Sequence, residues 1–207
     1  MSHSDYLQEE LTIVLLGESG VGKTKLVIRY LVDVLKETKT EWDSAMGAVH
    51  VKRTMQVDGV SFNMVIWDTS GDKKYDSMAA MYYLGRTAVI ICCDISNSYS
   101  FVKAKDWALQ LTIHSCKIYL CATKNDLCDE IETATLNNIQ EYAENIKAKF
   151  FVTSSHTGEN ISELFHTIIE DFISAPCNRK EIKKQKRRRK HVNLRCFWNY
   201  QRPKTEI

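Results

Sequence analysis

A chain of 207 residues that is 44% hydrophobic, with a net charge of +2, has the size and apolar content of one α/β domain with a tail. No stretch approaches the roughly 20 apolar residues of a bilayer crossing, and Met1 to Tyr6 lacks the basic and apolar regions of a secretory leader, so the expectation is a protein that is neither membrane-spanning nor secreted. Seven cysteines, an odd number without metal-ligand spacing, read as free thiols in a reducing cytosol, and six histidines in no H-E-x-x-H or similar cluster read as surface or packing residues.

The charge is unevenly spread. Residues 1–178 carry 16 Lys+Arg against 24 Asp+Glu, or −8, while residues 179–207 carry 12 against 2, or +10. The shift sets a boundary near Pro176. It divides the chain into an N-terminal extension (1–10), one domain (11–175) and a basic tail (176–207), whose lack of apolar periodicity predicts disorder.

The apolar run Leu11–Leu16 predicts a strand and leads into Gly17-Glu18-Ser19-Gly20-Val21-Gly22-Lys23-Thr24, the pattern G-x-x-x-x-G-K-T. Its glycines let the backbone wrap closely and turn N–H groups toward an anion, which a Cβ at those points would hinder. Ser19, Gly20, Val21, Gly22, Lys23, Thr24 and Lys25 are therefore the candidates for binding a polyphosphate. Lys23 would supply positive charge to the outer phosphates, and the Thr24 hydroxyl would be a ligand for Mg²⁺. The segment from Lys25 to Leu35 predicts a helix whose N-terminus faces the phosphates. A glycine-rich turn that binds nothing is the alternative, but the strand–loop–helix context argues against it.

Leu26, Val27, Tyr30, Leu31 and Val34 form an apolar stripe at helical spacing, so they belong to the core. The polar stretch Lys36 to Ser44 reads as a loop. Ala48 to Gln56 and Val60 to Trp67 read as an antiparallel pair of strands hinged at Asp58-Gly59. Beyond Asp68-Thr69-Ser70-Gly71, the segment to Gly85 holds a short helix. Strands are then predicted over Thr87 to Cys93, Lys117 to Ala122 and Lys149 to Val152, and helices over Ser98 to His114, Thr135 to Lys147 and Ile161 to Ile173.

This alternation predicts an α/β domain of three layers, a mostly parallel sheet with helices on both faces, with ligands outside the carboxyl ends of the strands. Asp68, Thr123-Lys124-Asn125-Asp126 and Ser154-Ser155-His156 each follow a strand, so they converge on the edge that carries Lys23. Asp68 is placed to hold Mg²⁺ through a water opposite Thr24, with Gly71 at D-x-x-G spacing; a strand-end aspartate capping the next turn is the alternative. The Asp126 carboxylate suits the two N–H donors on the Watson–Crick edge of guanine, a pair that adenine lacks. Such a site rejects an analogue without those donors by roughly 10⁴ to 10⁵, which selects GTP over ATP.

Together these motifs resemble the Ras-like small GTPases over nearly the whole span from Leu11 to Ser174. Ile66-Trp67-Asp68-Thr69 and Met81-Tyr82-Tyr83-Leu84-Gly85 are similar to the Rab branch. Ile118-Tyr119-Leu120-Cys121, Tyr142-Ala143-Glu144-Asn145-Ile146-Lys147 and Thr153-Ser154-Ser155 resemble an atypical Rab linked to autophagic membranes. The resemblance implies a P-loop GTPase fold with a six-stranded sheet and one antiparallel strand. It implies that Ser154 and Ser155 back the guanine, that Lys124 lies along it, and that effectors and regulators meet the switches and an aromatic patch including Trp67 and Tyr82. The switches correspond to Lys39 to Ala48 and Gly71 to Met81.

Four departures from the family pattern stand out. Asp72 fills the position of the water-orienting glutamine, and a carboxylate there repels a phosphate: one unit-charge pair about 4 Å apart, at an effective dielectric of about 20, is worth about 4 kcal/mol before screening. Hydrolysis, assigned to Lys23 and Asp72, should be slow. Ala45 replaces the threonine that senses the γ-phosphate, and Ser44, one residue out of register, points the other way in an extended segment. Thr123 and His156 replace an asparagine and a lysine of the base site without removing Asp126.

The run Arg179 to Lys190 is polybasic, with no C-a-a-X prenylation signal after Cys196, and three readings stand open: a solvated flexible tail, a nuclear-import or nucleic-acid patch, and a weak contact with anionic membrane assisted by Phe197 and Trp198. The sequence therefore predicts a cytosolic, monomeric, Mg²⁺-dependent, Rab-like guanine-nucleotide switch in vesicle traffic, peripheral to intracellular membranes. A non-switching pseudo-GTPase scaffold is the alternative. An ATP-using P-loop kinase would share only the phosphate loop.

Overall fold

The structure, a computed structural model, describes residues 10–36, 42–57, 60–85, 87–111, 116–127 and 132–175. The extension before residue 10, the predicted Asp58-Gly59 turn, the start of the first switch and the basic tail lie outside the described residues.

Strand β1 (Leu11–Leu16) is buried at every position, as expected of a strand with both faces covered. Its alternate side chains feed two cores. Leu11, Ile13 and Leu15 join one, and Val14 and Leu16 join the other. Around β1 the chain lays down α1 (Lys23–Asp33), β2 (Asp43–Ala45), β3 (Ala48–Val57) and β4 (Val60–Thr69). There follow α2 (Ala79–Tyr83), β5 (Ala88–Asp94), α3 (Ser98–Leu111), β6 (Lys117–Thr123), α4 (Glu132–Asn145), β7 (Lys149–Val152) and α5 (Ile161–Ser174). A 3-10 stretch over Lys73–Met78 precedes α2.

The sheet order is β2-β3-β4-β1-β5-β6-β7. β1 pairs in parallel with β4 and β5, β5 with β6, and β6 with β7, while β3 is antiparallel to both β2 and β4. The three-layer α/β fold and its one reversed strand, β3, match the sequence reading. The strand count does not. Seven strands replace the expected six because Asp43–Ala45 adds an edge strand against His50, Val49 and Ala48. Three residues, mostly exposed, bury too little apolar surface to show the alternation by which a strand is recognised.

α1 and α5 cover one face of the sheet, where the Tyr30 and Phe165 rings stack with centroids 3.8 Å apart. α2, α3 and α4 supply the core on the other. The helices hold the strands from both sides, so the loops at the carboxyl edge start from fixed points. Truncating the fully buried Phe165 to alanine should lower the unfolding free energy by about 3–5 kcal/mol, measured by denaturant titration.

Candidate functional site

The loop after β1 turns through Gly17, Gly20 and Gly22 at φ of 142°, 83° and 103°, conformations that L side chains rarely adopt. Gly17 is additionally confined: a Cβ there would lie 2.4 Å from the Cys92 carbonyl oxygen. Gly22 caps α1 without any side-chain hydrogen bond, which leaves the first N–H groups of the helix facing the loop.

Lys23, only 4% exposed, curls back so that its Nζ donates to the carbonyl oxygens of Gly17 and Glu18, both at 2.8 Å. Burial holds its ammonium below the usual lysine range, against the pull of nearby Cys92, Asp68 and Glu18. At the end of β4, Asp68 accepts a hydrogen bond from Thr24 Oγ1 at 2.6 Å through Oδ2, whereas its buried Oδ1 has no partner. Burial raises the Asp68 pKa, opposed by the Thr24 hydrogen bond and by Lys23.

A buried carboxylate oxygen without a donor, next to a hydroxyl and an ammonium, is a charge arrangement completed by a cation and an anion together. The oxygen donors of Thr24 and Asp68 suit a hard divalent ion such as Mg²⁺. Among the described residues no group of three His, Cys, Asp or Glu side chains is placed to hold a metal, so such an ion would share its coordination with phosphate and water.

The second switch closes this end. Ser19 N–H donates to the Gly71 carbonyl at 3.1 Å, and a Cβ on Gly71 would lie 2.4 Å from Lys23 Nζ and 2.5 Å from the Gly17 oxygen. Asp72 is exposed and turned aside: its carboxylate accepts from the Lys74 N–H at 3.1 Å and lies 3.1 Å from Lys74 Nζ. Those Lys74 contacts, the backbone one first, hold its pKa below the usual carboxylate range.

The first and second switches meet at a turn. The carbonyl of Gly47 accepts from Ser70 N–H at 3.0 Å, a Cβ on Gly47 would strike the Tyr75 ring at 2.6 Å, and the Tyr82 hydroxyl donates to the Met46 carbonyl. His50 stacks on Trp67 with ring centroids 4.4 Å apart, and Trp67 lies against Tyr82. Tyr82 is itself buried, so the surface of this patch is Trp67 with the exposed Met46. Ala45 packs against the core beneath, while neighbouring Ser44 is exposed.

At the other end, the base loops are tied to the phosphate loop. Thr123 Oγ1 lies 2.6 Å from the Val21 carbonyl and 3.0 Å from that of Cys93. One hydroxyl proton can serve only one of them at a time, so the threonine keeps the link that an asparagine amide, with two donors, would double. Lys124, at a φ of 64°, donates to Asp94 Oδ2 at 2.6 Å. Ser154 is buried and its hydroxyl donates to Asp126 Oδ1 while accepting N–H bonds from His156 and Thr157 at 3.2 and 3.1 Å. The Ser154 hydrogen bond is the main reason that the exposed Asp126 carboxyl stays below its usual range. Lys25, Ser155 and His156 lie at the rim; Ser155 and His156 are held by Arg29 through their backbone carbonyls, and His156 also by its N–H on Ser154.

Two positioning residues escaped the sequence reading. Asp94, which ends β5 on the same edge, fixes Lys124, and the carboxyl-edge rule that picked out Asp68 would have reached it. Arg29 of α1 donates to the carbonyls of Ser155, His156 and Thr157 at 3.2, 2.7 and 3.2 Å, more than a hundred positions away, and carries no local motif.

Comparison with known proteins gives a consistent result. Residues 12–174 match the Ras family. The chain is 36% identical to the Ras-related protein Rab-24 of Dictyostelium discoideum over 173 residues, covering 82% of this chain and 84% of that one. It is also 36% identical to the Ras-related protein RABF2b of Arabidopsis thaliana, over 75% of this chain and 78% of that one. With the GTP-binding protein ypt5 of Schizosaccharomyces pombe the identity is again 36%, over 75% and 74% of the two chains.

Replacing Arg29 with alanine removes three carbonyl contacts from one loop. Amide hydrogen exchange over residues 155–158 should rise at least about tenfold, equivalent to about 1.4 kcal/mol of local opening, while exchange in β1 stays unchanged.

Proposed function

Because the chain belongs to the Ras family, as a Rab-like small GTPase, we propose that Lys23, Thr24, Asp68 and Asp126 make it a Mg²⁺-dependent guanine-nucleotide switch with slow intrinsic hydrolysis, serving vesicle traffic on intracellular membranes. The observation that carries this reading is the pairing of two ends on one edge of the sheet, tied together by Thr123 and the Val21 carbonyl. A lysine and an orphaned carboxylate oxygen mark the phosphate end, and an exposed, Ser154-braced carboxylate marks the base end.

The chemistry follows from where the charges lie. Lys23 meets the outer phosphates with a positive charge that the low-dielectric loop strengthens. The loop N–H groups and the start of α1 add further donors to the phosphates. Thr24 and Asp68 would hold Mg²⁺, which when bound neutralises charge on the phosphates. Ser154 occupies one acceptor position of Asp126, leaving the rest of the carboxylate for the two guanine N–H donors. Lys124, held by Asp94, presents its stem to the base.

At the hydrolytic end, a side chain in the position of Asp72 cannot orient a water as an amide does, because an ionised carboxylate only accepts hydrogen bonds. Its pairing with Lys74 offsets part of the repulsion of a phosphate, so the residue slows hydrolysis without preventing binding. Effectors and regulators would read the patch of Trp67 and Met46, which is tied to Tyr82 and the Gly47 turn. The finer resemblance, to an atypical Rab of autophagic membranes, belongs to the same proposal and rests on Tyr119, Tyr142 and the Thr153-Ser154-Ser155 run.

Two measurements test it. Purified protein should bind GDP and GTP and discriminate against adenine nucleotides, and Asp126→Ala should cut guanine-nucleotide affinity by roughly 10⁴-fold in titration calorimetry; unchanged affinity would sink the assignment. In single-turnover assays, Asp72→Gln should speed hydrolysis about tenfold, which corresponds to about 1.4 kcal/mol of relieved barrier. An unchanged rate would remove Asp72 from the account.

A further inference from the structure

A groove of about 830 Å³ opens on the α1–α5 side of the sheet, touching the loop after Ser154 only at Gly158. Its apolar lining is Val34 and Leu35 at the end of α1 with Met55 and Val57 at the end of β3, all partly buried against the core. Its rim is one face of α5, where Glu163, His166 and Glu170 recur at helical spacing. Glu163 and Glu170 are exposed, and His166 Nε2 lies 3.0 Å from Glu170 Oε1. The rim is acidic and the lining apolar.

We propose that this groove is the docking site of the chain's own basic segment, residues 179–190. Charge is the first argument. The body carries −8 and the tail +10, and of the 12 residues in the segment all but Glu181, Ile182 and Gln185 are Lys or Arg. Composition is the second: Ile182 is the single aliphatic residue among those cations, which suits a narrow apolar strip edged by carboxylates.

Reach is the third argument. α5 ends at Ser174, and Ala175 is already extended at φ −57° and ψ 141°, as the residue before a proline prefers. From Ser174 back to Glu163 is 11 residues of helix, or about 17 Å at about 1.5 Å per residue. An extended chain covers that distance in about five residues. Arg179 stands at that count, so a chain folded back along α5 brings the basic segment as far as the Glu163 end of the groove, and a less extended path places it between Glu170 and Glu163. A tether this short gives the segment a high effective concentration at the groove, and so a contact too weak to hold a free peptide is occupied.

The same cations would be drawn to an anionic surface. Docking therefore makes the tail a two-position element, in the groove or on an acidic surface, with Glu163 and Glu170 setting the balance. The inference goes beyond the nucleotide reading and does not depend on it, since no residue of the nucleotide cleft takes part.

The test uses the full chain and a Glu163→Gln/Glu170→Gln variant, whose exposed substitutions leave the core untouched. Limited trypsin digestion should cleave within residues 179–190 about threefold or more faster in the variant at low salt, and the gap should close at about 0.5 M salt. Carbodiimide cross-linking of the unaltered monomer should join lysines of that segment to Glu163 or Glu170. Vesicles containing phosphatidylserine should bind the variant more tightly than the unaltered protein, because the groove no longer competes. Equal digestion rates, tail cross-links scattered over other acidic residues or found only between two copies, or equal vesicle affinity would each overturn the proposal.

Discussion

The placement of the Lys23 ammonium governs the rest of the molecule. A lysine that is 4% exposed must find compensation for lost water, and here the carbonyls of Gly17 and Glu18 and the charge of Asp68 provide it. Those partners lie on the loop after β1 and at the end of β4. They come together only because β1 pairs with β4 in the register Leu15↔Asp68. The hydrophobic sheet thus fixes an electrostatic arrangement at its edge. The Asp68 Oδ1 atom is held away from water without a partner, so a ligand that supplied one there would stabilise the fold as it binds.

From that point the two ends of the cleft are joined by hydrogen bonds rather than by apolar contact. Thr123 ties β6 to the phosphate loop at Val21, Lys124 is anchored on Asp94, and Arg29 reaches from α1 to the loop that carries Ser154. α1 therefore serves both ends: Lys23 and Thr24 on its first turn meet the glycine loop and Asp68, and Arg29 on its second holds the loop over Ser155, His156 and Thr157. Such ties fix distance more sharply than hydrophobic packing does, because each depends on a donor and an acceptor at set geometry.

What was legible in the sequence was what is local. The G-x-x-x-x-G-K-T run, Asp68 with Gly71 and the Thr123-to-Asp126 tetrapeptide announce their chemistry within a few residues, and the sheet-edge rule joins them. The apolar runs gave most strands to within a residue or two, because a buried strand must be apolar along its length. What was hidden depends on partners distant in sequence. Arg29 has no local cue beyond its pairing with Asp33, and the contact of Gly47 with Tyr75 exists only once the two switches are packed together. The edge strand Asp43–Ala45 was hidden for a different reason: its pairing is with backbone, and backbone hydrogen bonds leave little trace in residue type.

The departures from the family pattern are unevenly placed, and the geometry gives that unevenness a meaning. At the base end, Thr123 still reaches Val21 and Ser154 still braces Asp126, so the substitution costs one donor and preserves the frame. In the two segments read as switches, Ala45 packs against the core and has no hydroxyl to offer, and Asp72 points its carboxylate toward Lys74. Affinity for a nucleotide is set mostly by groups that contact every phosphorylation state, whereas switching requires a group whose contact differs between two states. Loss at the second kind of position leaves binding intact while shrinking the free-energy difference that drives the switch. The contact of the Gly47 turn with Ser70, Tyr75 and Tyr82 involves no phosphate, and so holds the two switches together by protein–protein packing.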